Sequence, residues 1–458
     1  MINHFKYILT FSMVILSTPL LAQSNGATTP LSLKEILHLA ENNYPSIAVK
    51  KAQSLAASKN IAIQKNSLVP AFDAAYQVDY ATYNNITGMA FPQYLVPISG
   101  PPSTKNNYSG VLGSAASLLL NWQPLTFGQR ASQVTVAKEN YKLSLADESN
   151  TLFQLKLNII SVYLNITYSD ELLKVYQENI QRINTQLRQI SSLVKSGIRP
   201  GADTSLFQAE LSKGSVDLFN LELYRKQQLN NLKELTGDAN LNVVSDSLLA
   251  EYIPVPTSID SIQSHPLIKY NEQLIQLQEA NRKAIQKTVM PKLGIWSTAY
   301  ARGSGIKYDG TVNSSDGLNF SRYNYGIGLQ LSVPILQFTH TKLQVQQQNA
   351  LIQGYQYQLQ QTQLKLSKDS ANAVDAYLNA IKVVKETPVQ LQAATVAYKS
   401  MLSRYNAGLA SFADLIQSQY ALLQAETNVK QAHLNVWQAL LQQTAANGDV
   451  NDFLNQMK

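Results

Sequence analysis

The sequence predicts an α+β membrane protein in which a few strands per chain contribute to a shared β-barrel continued by long antiparallel coiled-coil helices. Three observations carry this reading. Short motifs recur 210 to 221 positions apart over most of the 458 residues, so the chain is one unit built twice. Four segments alternate apolar and polar residues, the period of a strand with two unlike faces. Between them run stretches with apolar residues at sustained 3,4 spacing, the signature of long coiled-coil helices.

Residues 1–22 come first in chain order. Lys6, the apolar run from Tyr7 to Leu16 and the exit at Leu20-Leu21-Ala22 predict a secretory signal cleaved after Ala22. A retained single-span anchor is the alternative, but the apolar run is short and polar Gln23-Ser24-Asn25-Gly26 follows it. The chain has no Cys, which excludes a bacterial-type lipid anchor, a disulfide framework and thiol chemistry. No later stretch reaches the roughly 18 consecutive apolar residues of a spanning helix, so membrane crossing requires strands.

The repeat is read from matched positions. Tyr44-Pro-Ser-Ile47 pairs with His265-Pro-Leu-Ile268, and Val69-Pro70 with Met290-Pro291. Ser196-Gly-Ile198 pairs with Ala407-Gly-Leu409, and Ala202-Asp203 with Ala413-Asp414. The resulting plan places repeat 1 at 23–235, a linker at 236–257, repeat 2 at 258–447 and a tail at 448–458.

Strands are expected near 71–83, 108–123, 292–303 and 322–333. Phe72, Ala74, Tyr76, Val78 and Tyr80 alternate with Asp73, Gln77 and Asp79, and Tyr323 to Val333 alternates most cleanly. Trp122, Trp296 and Tyr300 lie near strand ends, where the margins of an outer-membrane strand carry aromatics. Half-buried hairpins of a soluble domain remain the alternative. The Pro-rich stretch Asn84–Asn107 and the Gly/Ser/Asp-rich stretch Ser304–Ser321 read as long irregular loops at matching points of the two copies.

Helices are expected near 129–196, 203–235, 337–406 and 411–447, the two long ones about 100 Å each. The seam of the first runs Leu155, Ile159, Val162, Ile166, Ser169, Leu173, Tyr176, Ile180, Ile183, Leu187, Ile190, Val194. Pro388 should kink or interrupt the second. The last helix carries a small-residue seam at Ala425, Val429, Ala432, Val436 and Ala439. In the Gln-rich stretch 344–363, Leu343, Ala350, Tyr357 and Leu364 recur every seven residues and favour a helix over a disordered tract. Four strands cannot close a barrel, because closed barrels start at about eight. Subunits must therefore share one.

The twofold repeat, the Pro124-Leu-Thr-Phe-Gly128-Gln-Arg130 exit from a strand and the stretch Tyr405-Asn-Ala-Gly408-Leu-Ala-Ser-Phe-Ala-Asp414-Leu resemble the TolC family of outer-membrane efflux proteins. The resemblance covers essentially the whole chain beyond the signal. It implies a homotrimer with a twelve-stranded barrel in the outer membrane of a Gram-negative bacterium and a helical tunnel in the periplasm. It also implies a periplasmic adaptor (membrane fusion protein) and an inner-membrane transporter of RND or ABC type as partners. The expected function is a passive exit duct in a tripartite efflux or type I secretion system. A soluble periplasmic coiled-coil scaffold is the alternative.

The turns at Gly197-Ile198 and Gly408-Leu409 join each long helix to its return partner, and glycine there ends a helix in the left-handed conformation. The resemblance adds adaptor contact to Gly197, Ile198, Gly408 and Leu409. Asp203 and Asp414 read as first-turn carboxylates, Asp414 in a capping box with Ser411. The resemblance places them at a closed periplasmic gate: Asp203 bonded to Tyr405, and Asp414 in a cation-selecting ring. Ala410 stands where the family carries a lock arginine and Gln417 where it carries a second acid, implying a weaker lock and three ring charges per trimer.

Charged residues make up 15% of the chain, and its formal charge of +7 is scattered, with no basic run suited to nucleic acid. His38, His265, His340 and His433 lack metal-ligand spacing, and no nucleophile elbow or phosphate loop is present. No cofactor, metal or enzymatic activity is expected.

Overall fold

A computed structural model describes residues 31–82, 84, 101–102, 104–106, 108–243, 252–255 and 262–457. The expected signal at 1–22, most of the loop 84–107 and parts of the linker 236–257 lie outside the described residues. The elements follow as α1 (Leu33–Asn43), α2 (Pro45–Asn66), β1 (Ala71–Thr82), β2 (Gly110–Leu125), α3 (Gln129–Lys195) and α4 (Gly201–Thr236). The second half repeats the order with α5 (Pro266–Lys287), β3 (Lys292–Ser304), β4 (Arg322–Ser332), α6 (Gln337–Asn406), α7 (Phe412–Asn447) and a short α8 (Asn451–Gln456).

The four strands form one antiparallel sheet in chain order, with β1 and β4 at its edges. Directly opposed residues share a face. Phe72 opposes Leu120, Leu120 opposes Ser297, and Ser297 opposes Ile327. The same face carries Tyr76, Val78, Tyr80, Leu118, Tyr323, Tyr325, Leu329 and Leu331, all exposed in the single chain. The opposite face carries Asp73, Gln77, Asp79, Ser117, Asn121, Thr298, Arg302, Arg322, Asn324 and Gln330. One sheet thus exposes an apolar wall and a polar wall, and no element among the described residues buries the apolar one. Trp122 lies on the apolar face and donates its indole N–H to Leu68 O at 2.7 Å. Trp296 and Tyr300 lie on the polar face instead of among the marginal aromatics of the apolar one, because their register opposes them to Asn121 and Ser117.

The stretch Ser304–Ser321 is more ordered than its composition suggests. It holds a 3-10 turn at Ser314–Leu318 and folds back on β2, where Ser114 Oγ donates to Gly317 O at 2.6 Å and Leu112 N–H donates to Ser314 Oγ at 3.1 Å. The passage from β2 to α3 turns on two consecutive left-handed residues, Phe127 (φ 46°) and Gly128 (φ 92°), and Arg130 reaches back to the carbonyl of Pro124 at 3.4 Å.

The helices pair as hairpins, α3 with α4 and α6 with α7. Half of the expected α3 seam is fully buried, including Leu155, Ile159, Ile166, Ser169, Ile183 and Ile190, but Leu172 and Val175 are buried where Leu173 and Tyr176 were expected. The stripe shifts because α3 packs against α2, α4, α5 and α7 along its length, where a two-stranded coiled coil would give it one partner. α6 runs unbroken through Pro388, which corrects the expected interruption. The residue whose carbonyl loses its donor, Val384, is held in a buried cluster with Ala432 and Val436 of α7, and packing along the whole pair outweighs a proline penalty of about 3 kcal/mol.

The main core lies where both halves meet, with α1 and α8 packed into it. Ile36 of α1, Ile47 of α2, Ile159, Ile160 and Leu164 of α3, Leu232 of α4, Trp437 and Leu440 of α7 and Phe453 of α8 are all buried there. His265 caps α5 beside it: its Nδ1 accepts Leu267 N–H at 3.1 Å, and its Nε2 lies 3.0 Å from Ala445 O. The ring therefore holds its proton on Nε2, and burial lowers its pKa from the ordinary histidine value. No described helix is long and apolar enough to cross a membrane.

Candidate functional site at the helical tips

The two long helices end in the same way. Beyond α3, Gly197 takes φ 72° and its N–H bonds Val194 O at 3.0 Å, while Ile198 N–H bonds Leu193 O at 2.9 Å. Beyond α6, Gly408 takes φ 77°, its N–H bonds Tyr405 O at 3.0 Å, and Leu409 N–H bonds Arg404 O at 2.8 Å. Both are Schellman motifs, and an L side chain at either glycine would have room but would be strained. The motif leaves Ile198 and Leu409 pointing outward, 68% and 71% exposed. Two apolar side chains thus stand on the two tips with nothing among the described residues to cover them.

Directly behind the tips, Tyr405 is 1% exposed and packs edge-on against Phe207 among Ile190, Tyr398 and Leu415. Its hydroxyl donates to Asp203 Oδ2 at 2.8 Å. Burial first, then the bond to Asp203 and its charge, raise the phenol above its ordinary value, so it remains a donor throughout the physiological range. Asp203 is also the third residue of α4, where its charge complements the helix dipole. The charge at the helix start and the bond to Tyr405 coexist in one side chain, without a side-chain cap bond to α4.

Sequence reasoning missed Arg199. Its guanidinium lies 4.5 Å from the centroid of the Tyr405 ring, approaches Asp203 at 3.9 Å and donates to the Tyr405 carbonyl. Position 410 itself is Ala410, and the guanidinium that meets the Tyr405 ring comes from Arg199 on the first tip. The available signal was the spacing of Arg199 and Asp203, four residues apart around the start of α4. A guanidinium at the C-terminal carbonyls of α6 also complements that helix's dipole.

Asp414 closes the expected capping box: Ser411 N–H and Oγ donate to Oδ2 at 3.0 and 2.7 Å, and Asp414 N–H returns to Ser411 Oγ at 3.2 Å. The side-chain and backbone bonds from Ser411 lower its pKa below the usual aspartate value. Asp414 and Gln417 are both exposed, one turn apart, and do not join the Tyr405 cluster.

Away from the tips, polar contacts link the two hairpins. Tyr420 OH donates to Glu210 Oε2 at 2.6 Å and accepts from Lys213 Nζ at 2.9 Å. Gln419 donates to Asn179 at 3.2 Å, Arg182 grips Glu426 through two bonds of 2.9 and 2.6 Å, and Glu171 takes Lys430 at 2.7 Å. Directional contacts of this kind hold the hairpins in one register, whereas an apolar seam would let them slide.

The family model for the outer membrane efflux protein matches residues 36–238 and 259–449. No curated protein matches the sequence. Among solved structures, the Campylobacter jejuni CmeC outer membrane channel aligns with TM-score 0.73 at 16% identity, covering 91% of this chain and 85% of that one. VceC, an outer membrane protein from Vibrio cholerae, aligns with TM-score 0.70 at 13% identity over 91% and 96% of the two chains. The Neisseria gonorrhoeae MtrE outer membrane channel, solved in its open state, aligns with TM-score 0.69 at 17% identity over 91% and 89%. At these identities the likeness is one of fold.

Proposed function

The chain belongs to the outer membrane efflux protein family, and on that premise we propose that it is a passive exit duct. Three copies close a twelve-stranded barrel in the outer membrane of a Gram-negative cell, and their long helices form a periplasmic tunnel fed by an adaptor and an inner-membrane pump of RND or ABC type. The pump supplies the energy, and this chain supplies an aperture.

One observation carries the reading: a single copy leaves both of its long sides unsatisfied. β1 and β4 are sheet edges. On the β4 side, α6 exposes a heptad seam of Leu343, Ala350, Tyr357, Leu364, Ala371 and Leu378. On the β1 side, α2 exposes Val49, Leu55 and Ile63. Unlike sides that must meet make a head-to-tail ring. Closing the sheet edges satisfies the backbone groups that a bilayer would otherwise leave unpaired. The apolar wall then faces lipid, and the polar wall lines the pore.

Within this reading the Tyr405–Asp203–Arg199 contact is the periplasmic gate of each protomer. Breaking it releases the end of α6 from the start of α4, which widens the tunnel mouth. Asp414 adds one carboxylate per protomer to a cation-selecting ring, with Gln417 neutral beside it. The exposed Ile198 and Leu409 are the adaptor contacts, beside Gly197 and Gly408. Cell fractionation tests the assignment against a soluble scaffold. Recovery from the outer membrane only with detergent is expected, and recovery in the soluble periplasm would overturn it.

A further inference from the structure

The polar face of the sheet holds an apolar exception. Trp296 and Leu119 are 41% and 46% exposed on the wall that carries Asp73, Gln77, Asn121, Arg302 and Asn324. Trp296 opposes Gly328 across the β3–β4 ladder. A β-carbon at Gly328 would fall 2.5 Å from the indole and one at Gly326 would fall 3.3 Å from it, so the ring spans both glycines and lies on bare backbone. Covering strand glycines with an aromatic supports the sheet. It also turns the other ring face away from the wall. Leu119 opposes Thr298, and Tyr300 follows on the same face, which extends the apolar patch along the strand. The groups framing the indole are uncharged: Asn121 opposite, Gly294 and Thr298 along the strand.

We propose that Trp296 is the stacking platform of a cargo-binding site inside the pore, which takes the planar aromatic ring of a passing molecule and selects it by flatness without regard to charge. This rests on the reading that the polar wall lines the pore. A flat, half-exposed indole offers a π-face to any planar ring, and stacking of this kind tolerates varied substituents. Three copies around a trimer would give three such platforms at one height.

Fluorescence anisotropy of ethidium and of pyrenesulfonate, planar probes of opposite charge, tests the site on the purified full-length protein in detergent. Trp296→Leu is expected to weaken both probes about tenfold, while Trp296→Phe retains most of the affinity. Thermal melting of each variant confirms that the sheet is intact, and Trp296→Thr, a β-branched replacement without a π-face, is read against Trp296→Phe if Trp296→Leu does not fold. Unchanged binding in Trp296→Leu, equal weakening by Trp122→Leu on the apolar face, or loss of ethidium alone would overturn the proposal. A wild-type protein that sizes as a monomer would instead overturn the duct reading on which it rests.

Discussion

Tyr405 and Asp203 lie 202 positions apart in the chain and meet through a 2.8 Å hydrogen bond behind the two helical tips. The bond ties the end of α6 to the start of α4, and Arg199 presses on the same ring from the first tip. A buried, charge-assisted bond of this kind contributes about 1.5–3 kcal/mol. That is enough to bias two arrangements of a helix end and small enough for a docking partner to reverse.

Tyr405→Phe removes the hydroxyl and keeps the ring packing. Planar-bilayer conductance of the variant is expected to rise several-fold over wild type, with trimer content unchanged. Conductance equal to wild type would separate this bond from gating.

Arg199→Lys retains the charge near Asp203 but loses the planar fork and the stacking surface. Arg199→Lys and Arg199→Ala are therefore expected to raise conductance to similar degrees. A double-mutant cycle with Tyr405→Phe should return a coupling of about 1 kcal/mol in stability. Full rescue by lysine would reduce the role of Arg199 to simple charge pairing.

Gly408→Glu places a strained, charged residue at a left-handed position with open space around it. The strain is about 1–2 kcal/mol, so the trimer should survive while drug resistance conferred by the complete pump is lost. Gly408→Asn, which tolerates the same backbone, should retain resistance. Normal resistance in Gly408→Glu would remove this tip from adaptor contact.

His265 gives a pH dependence with a defined sign. Burial lowers its pKa in the folded protein, so the unfolded chain binds the proton more readily. The stability it contributes is complete above the ordinary histidine value of about 6.5 and is lost as pH falls from there toward the lowered folded value. Melting temperature should drop over that window, and His265→Asn, which preserves an N-cap acceptor, should flatten the drop.

The parts of this architecture with strict periodicity were legible in the sequence. Alternation at Tyr323–Val333 and the paired tip glycines needed only local rules, because each residue's role is set by its neighbours in the chain. The Tyr405–Asp203 pairing came from the resemblance, and periodicity alone would not have supplied it. Arg199 was missed because its partner ring lies on the other repeat, and no local pattern reports a contact between hairpins. Trp296 was placed by its type at a strand margin, whereas its face follows from cross-strand register with Gly328. The continuity of α6 through Pro388 shows the same limit: packing against α7 outweighs a local rule.

The proposed duct requires a ring of three chains. Native mass spectrometry of the detergent-solubilised protein tests it most directly. A species of three times the mass of one chain is expected, together with loss of that species when Leu364→Glu and Ile63→Glu charge the two facing sides. A folded monomer, or a trimer indifferent to those substitutions, would contradict it.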